Sequence, residues 1–323
     1  MSGGPQAAML ADGRRLHLQH GPIDLVIEAF GSPAEVEGAY RAALRRFETV
    51  LTELTDELTL LRAPASARSP AAMGAVARRM QAAVAPFAEA IFITPMAAVA
   101  GAVADEILAA MTGAADLARA YVNNGGDIAL HLAPGETFSV GLAGQPDQAR
   151  LFGQLTLAAG LGVRGLATSG WRGRSFSLGI ADAVTTMAES AAAADAAATV
   201  VANAVDLPGH AAVTRRPARD IRHDSDLGDR LVTTAVAPLT ADEIALALSR
   251  GEAVAAGLAT ERLIAGAALH LAGATRLVDL PAAIQELPCP PSSSASAPSS
   301  SKRSFTRVAP PAPFRCGAAL SLP

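Results

Sequence analysis

The chain has 323 residues, of which 50% are hydrophobic and 4% are aromatic, and its net charge is −4. These values are typical of a globular protein with one large or two small domains, whose core consists of aliphatic side chains and closely packed alanine. The slight acidity, together with the lack of a basic cluster with interleaved aromatic residues, excludes nucleic acid as the expected partner.

The sequence predicts a soluble, cytoplasmic protein without a membrane partner. Residues 1–10 lack the charged start and the continuous apolar core of a signal peptide. The longest uncharged apolar stretch, 90–104, is interrupted by Pro95 and is shorter than the ~20 residues that a membrane helix needs. Cys289 and Cys316 both fall in the C-terminal tail, so we expect neither a disulfide framework nor a cysteine metal cluster.

The first predicted elements are a hairpin and helices. Residues 14–29 form two strand-like runs around His20-Gly21. Ser32-Pro33-Ala34-Glu35 combines an N-cap serine, a proline at the first helical position and a capping-box glutamate, so a helix is expected from here to about Leu61. A second helix is expected to start at Ser69-Pro70. Residues 91–93 read as a short strand, followed by a helix rich in small residues.

The middle of the chain predicts a multistranded antiparallel sheet. Residues 138–143, 151–158 and 163–168 are alternating, β-rich runs separated by glycine. Before them, Gly125-Gly126 is compatible with a hairpin turn or with a loop that approaches a ligand closely. After them, Thr168-Ser169-Gly170 is a plausible phosphate-binding turn. Arg172 and Arg174 follow and are suited to phosphate, the alternative being an exposed loop.

Glu189-Ser190 opens a helix built almost wholly of alanine. Asp195 and Thr199 are spaced i, i+4 in it and so share one face. A carboxylate and a hydroxyl on one face are suited to a hard cation such as Mg²⁺, the alternative being a solvated helix face.

The last third contains a charged segment, a helix and a tail. Residues 220–230 contain Asp224, Asp226 and Asp229 without the spacing of an EF-hand. They indicate a solvated loop, the alternative being a further candidate binding site. Thr240 and Glu243 form a capping box that starts a helix. From residue 288 the composition changes to Pro, Ser and Ala, which predicts disorder.

Four motifs occur in an order that resembles the FAD:protein FMN transferase (ApbE) family, and most closely an uncharacterised ApbE-like branch. They are Gly125-Gly126-Asp127-Ile128, Ala167-Thr168-Ser169-Gly170, Asp182, and Ala194-Asp195-Ala196-Ala197-Ala198-Thr199. The third departs from the family pattern, because Gly179 stands where the family has histidine. Ala183 replaces the family's proline, and no Thr-Gly follows.

The resemblance implies a single α+β domain over residues 10–287, with an antiparallel, T-fold-like sheet packed by Ala-rich helices. Residues 1–9 and 288–323 are expected to be disordered. Asp195 and Thr199 would hold Mg²⁺, helped by a backbone carbonyl near Gly101, and Asp182 would be catalytic. FAD or FMN would be lined by Gly125, Gly126, Asp127, Thr168, Ser169 and Gly170.

In the family, Mg²⁺ bridges the FAD pyrophosphate as FMN passes to a Ser or Thr of a protein acceptor. Because the family histidine is missing, we expect nucleotide or flavin binding with weak or absent transfer. His210 or His223 could replace the lost histidine from elsewhere in the fold. The first hypothesis is thus a Mg²⁺-dependent flavin transferase or flavin-nucleotide hydrolase. Two other hypotheses are the same fold acting on another cofactor or metabolite, and a non-catalytic binding protein.

Overall fold

A computed structural model describes residues 4–145, 150–280, 284–286 and 319–320. These residues form an α+β fold with a large antiparallel sheet, as the sequence predicted. The strands are β1 Gln6–Met9, β2 Leu16–His20, β3 Ile23–Phe30, β4 Arg119–Asn124, β5 Asp127–Leu132, β6 Thr137–Gln145, β7 Arg150–Ala158, β8 Gly165–Ser169, β9 Ala183–Ala188, β10 Val213–Pro217, β11 Leu231–Val236, β12 Gly266–Leu271, β13 Ala274–Val278, β14 Ile284–Glu286 and β15 Ala319–Leu320. The helices are α1 Pro33–Asp56, α2 Leu58–Leu61, α3 Ala75–Val84, α4 Val99–Thr112, α5 Ala191–Ala204, α6 Ala218–Ile221 and α7 Ala241–Thr260.

The main sheet has nine strands in the order β1-β2-β3-β4-β5-β8-β9-β12-β13. Helices α1 and α4 pack on β2–β5, and α3 packs on α4 and α5. Helix α5 packs on β8 and β9, and α7 packs on β12 and β13. The alanines of α5 are almost all buried, so this helix approaches both the sheet and its neighbouring helices closely. The site described below lies where α4 and α5 meet the middle strands.

A second, four-stranded sheet has the order β14-β7-β6-β15. Its apolar residues share a separate core with the main sheet, formed by Tyr121, Leu130, Phe138, Leu157 and Met187 among others. A small two-stranded sheet, β10-β11, holds the charged segment 220–230 between its strands.

Local capping chemistry explains where two of the helices begin. Ser32 Oγ accepts the N–H of Glu35 at 3.3 Å at the start of α1. The predicted reciprocal bond is absent there, because Glu35 accepts from the N–H of Asp116 instead. The full capping box of Thr240 and Glu243 forms at the start of α7, as predicted.

Other boundaries differ from the sequence prediction. The helix expected at Ser69-Pro70 begins only at Ala75, after Gly74 at its N-cap. Residues 91–93 do not form a strand. The main sheet begins at Gln6, inside the segment predicted to be disordered, because β1 pairs with β2. Of the predicted tail, 288–323, all but residues 319–320 lie outside the described residues, and those two pair with β6.

Residues 95–112 are long and apolar enough to cross a membrane by length and composition alone. Half of this stretch is buried inside the protein, and α4 within it packs against α1, α5 and β4. This is the environment of a core helix in a soluble domain.

Candidate functional site

The site is built around the N-terminal end of α5, which is wedged between α4 and β8. A Cβ added at Gly101 would overlap the carbonyl group of Ala191, and one at Gly165 would overlap the peptide of Ser190. Both positions therefore require glycine for close backbone packing. This packing fixes the distance between α4 and α5, on which the geometry of the site depends.

Asp105 on α4 caps α5. Its two carboxylate oxygens accept the N–H groups of Ala191 at 3.0 Å and Ala192 at 2.9 Å. These are N–H groups that have no partner within the helix, and a negative charge is favourable at this end of the helix dipole. Burial raises the pKa of Asp105, and the two N–H groups oppose that rise. Asp105 therefore positions α5, a role that the sequence analysis did not assign.

Asp195 lies about one turn further along α5 and points back towards α4. Its Oδ2 accepts the N–H of Gly101 at 3.0 Å. Burial raises the pKa of Asp195 well above its usual range, and the neighbouring charge of Asp127 adds to the rise. The carboxylate therefore has a specific partner on α4, and Asp195 is half-buried. Its convergence with Thr199 on one pocket stays a prediction.

Asp127 is the second carboxylate of the site and is the first residue of β5. Its Oδ1 accepts the N–H of Thr168, at the end of β8, at 3.2 Å. Burial raises the pKa of Asp127 to about 7, against the opposing effects of the Thr168 N–H and the Arg174 charge. The fold thus places the two carboxylates close enough for their charges to interact, and perturbed carboxyl groups of this kind are found at functional sites.

The Gly125-Gly126 pair forms the turn between β4 and β5. Asn124 pairs with Asp127, so the turn has two residues, and both glycines have positive φ, 67° and 117°. This confirms the hairpin-turn interpretation. A Cβ at Gly125 would overlap the guanidinium of Arg174, which lies directly on the turn.

Asn124 links this turn to α4. Its Nδ2 donates to the carbonyl of Ala100 at 3.1 Å. The hairpin turn, the start of α4 and the carboxylate of Asp195 are thereby joined through the peptide groups of two consecutive residues, Ala100 and Gly101.

The hydroxyl residues predicted for the site are Thr168, Ser169 and Thr199. Thr168 Oγ1 is 2.8 Å from Thr185 Oγ1, so one hydrogen bond of this hydroxyl is made within the sheet. Ser169 and Thr199 are half-buried, and Thr199 follows Asp195 by one turn of α5. Gly170 packs against the carbonyl of Asp182.

Asp182 is buried and accepts three hydrogen bonds. Oδ1 accepts from Trp171 Nε1 at 3.2 Å and from Arg172 Nε at 2.7 Å, and Oδ2 accepts from the N–H of Ala272 at 2.7 Å. It therefore holds the segment that follows Gly170 against the β12–β13 turn. These contacts explain a structural role for Asp182, and its catalytic role stays a prediction.

Gly179, which stands where the family has histidine, packs against the C-terminal end of α5. A Cβ there would overlap the carbonyl of Ala202 and lie 2.8 Å from that of Val205. A histidine does not fit at this position without displacing α5. The replacement of the family's histidine by Gly179 therefore agrees with the close packing of this position against α5.

The histidine that the structure brings to Asp182 is His270, which sequence reasoning missed. Its carbonyl accepts the N–H of Asp182 at 3.0 Å, and its Nδ1 is 2.9 Å from Thr275 Oγ1. Burial lowers the pKa of His270, which favours the neutral ring. His210 instead pairs with Glu243 at 2.9 Å. Only the antiparallel pairing of β9 and β12 reveals the proximity of His270 to Asp182.

The charged segment 220–230 packs against the chain that precedes α4. Asp224 pairs with Arg62 at 2.8 Å, Asp226 accepts from Thr94, and Arg230 stacks over Phe92.

Across the described residues, no group of three or more His, Cys, Asp or Glu side chains is arranged to hold a metal ion. A metal at Asp127 and Asp195 would therefore need further ligands from hydroxyls, carbonyls, water or a bound phosphate.

The fold and the site together define an α+β protein with a carboxylate pair between a helix junction and a glycine turn. A family model described as AbpE bacteria matches residues 7–277, and the chain belongs to this family. It is also similar to a UPF0280 protein of Methanopyrus kandleri, with 40% identity over 129 residues, covering 40% of this chain and 48% of that protein. A UPF0280 protein of Methanothermobacter thermautotrophicus is 39% identical over 118 residues, covering 36% of this chain and 44% of that protein. The matches span about half the length of these curated relatives.

Proposed function

We propose that this protein is a cytoplasmic, ApbE-like protein that binds a flavin nucleotide, FAD or FMN, together with Mg²⁺ at the Asp127–Asp195 site. The observation that carries the proposal is that each of these two carboxylates has one oxygen fixed by a backbone N–H, in positions close enough for their charges to interact. Burial, and then the charge of Asp127, raise the pKa of Asp195, and a bound cation would relieve this repulsion.

The donor groups fit Mg²⁺. This ion takes oxygen ligands and is commonly held by one or two protein carboxylates, with phosphate oxygens and water completing the shell. Asp127 and Asp195 would supply the carboxylates. Thr199, one turn after Asp195 on α5, and the carbonyl of Ala100, the residue before Gly101, would be further oxygen ligands. When bound, the ion would neutralise phosphate charge and act as a Lewis acid.

The remaining residues favour a phosphate-bearing ligand. Arg174 lies on the Gly125 turn, and Arg172 is held by Asp182, so two guanidinium groups flank the segment that follows Thr168-Ser169-Gly170. Guanidinium groups pair well with phosphate oxygens, and glycines allow close backbone approach. These residues would bind and orient the nucleotide.

The packing of Gly179 favours binding over transfer of FMN to a protein acceptor. A positioned acid–base group typically contributes about 10²–10⁴-fold to rate, and a glycine contributes none. A second candidate function follows from the same observation: chemistry on another phosphate-bearing cofactor or metabolite at this site.

The test is equilibrium binding of FAD, FMN and ADP to the full chain, with Mg²⁺ and with EDTA. We expect Mg²⁺-dependent binding that Asp195→Asn weakens about tenfold or more, because a charge-assisted contact is lost. Asp116→Asn removes an equal charge from an exposed position and serves as the control. Flavin affinity that is unchanged by EDTA and by Asp195→Asn would contradict the proposal. Binding of ADP without binding of FMN would favour the second candidate.

A further inference from the structure

A second cleft lies where β3 leads into α1. Its volume is about 450 Å³, within the range of small-molecule sites. Its walls include the apolar side chains of Met9, Phe30 and Val36. The residues that line it do not include any of those assigned above to the nucleotide site.

Glu28 is the unusual residue of this cleft. Its side chain is 4% exposed, and Oε2 accepts a hydrogen bond from the Tyr121 hydroxyl at 3.2 Å. The other oxygen, Oε1, is buried and has no hydrogen-bond partner. A buried carboxylate oxygen without a donor is destabilising, so its retention here requires an explanation.

The polar neighbours of Glu28 do not supply the missing donor. Arg14 Nε lies 3.6 Å from Oε1, beyond hydrogen-bond distance, and the Arg14 side chain is 62% exposed. The Tyr40 hydroxyl also lines the cleft, but it donates to the carbonyl of Arg14 and accepts the N–H of Ala29 at 3.3 Å. A donor from outside the chain would complete the arrangement.

We propose that this cleft binds a small ligand with one cationic amine head and an apolar body. The ammonium group would donate to Glu28 Oε1 and take the place of the exposed Arg14 side chain. The body would pack against Met9, Phe30 and Val36. The buried carboxylate of Glu28, whose ion pair with the exposed Arg14 is 3.6 Å long, selects a cationic head, because a neutral ligand lacks the ionic bond, and the apolar side chains of the cleft select the body.

The probes are benzylamine and its neutral isostere benzyl alcohol, titrated into the full chain and followed by calorimetry or ligand-observed NMR. We expect saturable binding of benzylamine and about tenfold or weaker binding of benzyl alcohol. Glu28→Gln should lower benzylamine affinity about tenfold. Glu48→Gln, at an exposed position on the neighbouring helix α1, is the control and should leave it unchanged.

A second variant keeps the test decisive if Glu28→Gln does not fold. Val36 is partly exposed, so Val36→Phe adds bulk to the cleft wall while Glu28 remains, and benzylamine binding should be lost. Asp195→Asn should bind benzylamine like the wild type, which separates this cleft from the nucleotide site. Equal affinity for the two probes, unchanged affinity in Glu28→Gln or Val36→Phe, or no saturable benzylamine signal would overturn the proposal.

Discussion

The backbone N–H of Gly101 on α4 lies 3.0 Å from Oδ2 of Asp195 on α5. The same glycine allows the peptide of Ala191 to pack directly against α4. Helix packing and the orientation of the candidate metal ligand therefore depend on one residue without a side chain.

Gly101→Ala should destabilise the protein by about 1–3 kcal/mol, because the added methyl group overlaps backbone atoms of α5 that cannot move independently. Urea denaturation measures the free energy of unfolding. Gly257→Ala is the matched control, since an added Cβ on this exposed turn of α7 meets no atom within 4 Å. That variant should gain about 0.5–1 kcal/mol from helix propensity. Equal effects of the two substitutions would show that the α4–α5 contact is looser than described.

Gly125→Ala should displace Arg174 from the β4–β5 turn and weaken nucleotide binding. It also places a side chain at φ 67°, which costs about 1–2 kcal/mol. Gly135→Ala controls for this backbone cost, because Gly135 has φ 88° and no atom near its added Cβ. Both variants should lose similar stability, but only Gly125→Ala should lose nucleotide affinity. If the two bind nucleotide equally well, Arg174 has no part in the site.

Asp182→Ala should lower the free energy of unfolding by about 3–5 kcal/mol, because it leaves Arg172 without its buried partner and frees Trp171 and the Ala272 N–H. Trp171 is the only tryptophan of the chain, so its fluorescence reports the change directly. Asp182→Asn should cost less, since it keeps acceptor oxygen. A purely catalytic Asp182 would instead lose activity with normal stability and fluorescence in both variants.

The raised pKa of Asp127, about 7, predicts a specific pH dependence of stability. Between the usual value of 3.8 and about 7, the folded state holds a proton that the unfolded chain has lost. This stabilisation is complete below about pH 4 and is lost as the pH rises through 7.

Asp127→Asn should therefore be more stable than the wild type at pH 8, by up to about 4 kcal/mol, and similar to it at pH 4. The amide oxygen can still accept the Thr168 N–H. Urea denaturation across pH 4–8 tests this, and Mg²⁺ at pH 8 should stabilise the wild type alone. A constant difference at all pH values would argue against titration of Asp127.

Covalent FMN transfer to an ApbE-type acceptor protein should be weak or absent, and Gly179→His should not restore it. A histidine there collides with the carbonyl of Ala202 and would disturb α5 before it reached a reactive position. In-gel flavin fluorescence of the acceptor, after incubation with FAD and Mg²⁺, is the measurement. Robust labelling by the wild type that Asp195→Asn abolishes would mean that transfer proceeds without a histidine at this position.

Much of the fold was predictable because its determinants are local. The His20-Gly21 hairpin, the Ser32 and Thr240 caps and the start of α5 at Ser190 all depend on residues within a few positions of one another. Periodicity and turn chemistry act over the same range, so the sequence also predicted the antiparallel sheet.

Other features were decided only when distant segments packed together. Asp105 caps a helix 86 residues away, and Asp195 reaches the N–H of a residue 94 positions before it. The spacing of Asp195 and Thr199 placed them on one helix face, and the family resemblance put Asp127 in the same site. Neither gave a signal for the proximity of His270 to Asp182 or of Glu28 to its cleft. Burial and the electrostatic field at a side chain depend on three-dimensional distance, and in this chain that distance is fixed by close glycine and alanine contacts between elements far apart in sequence.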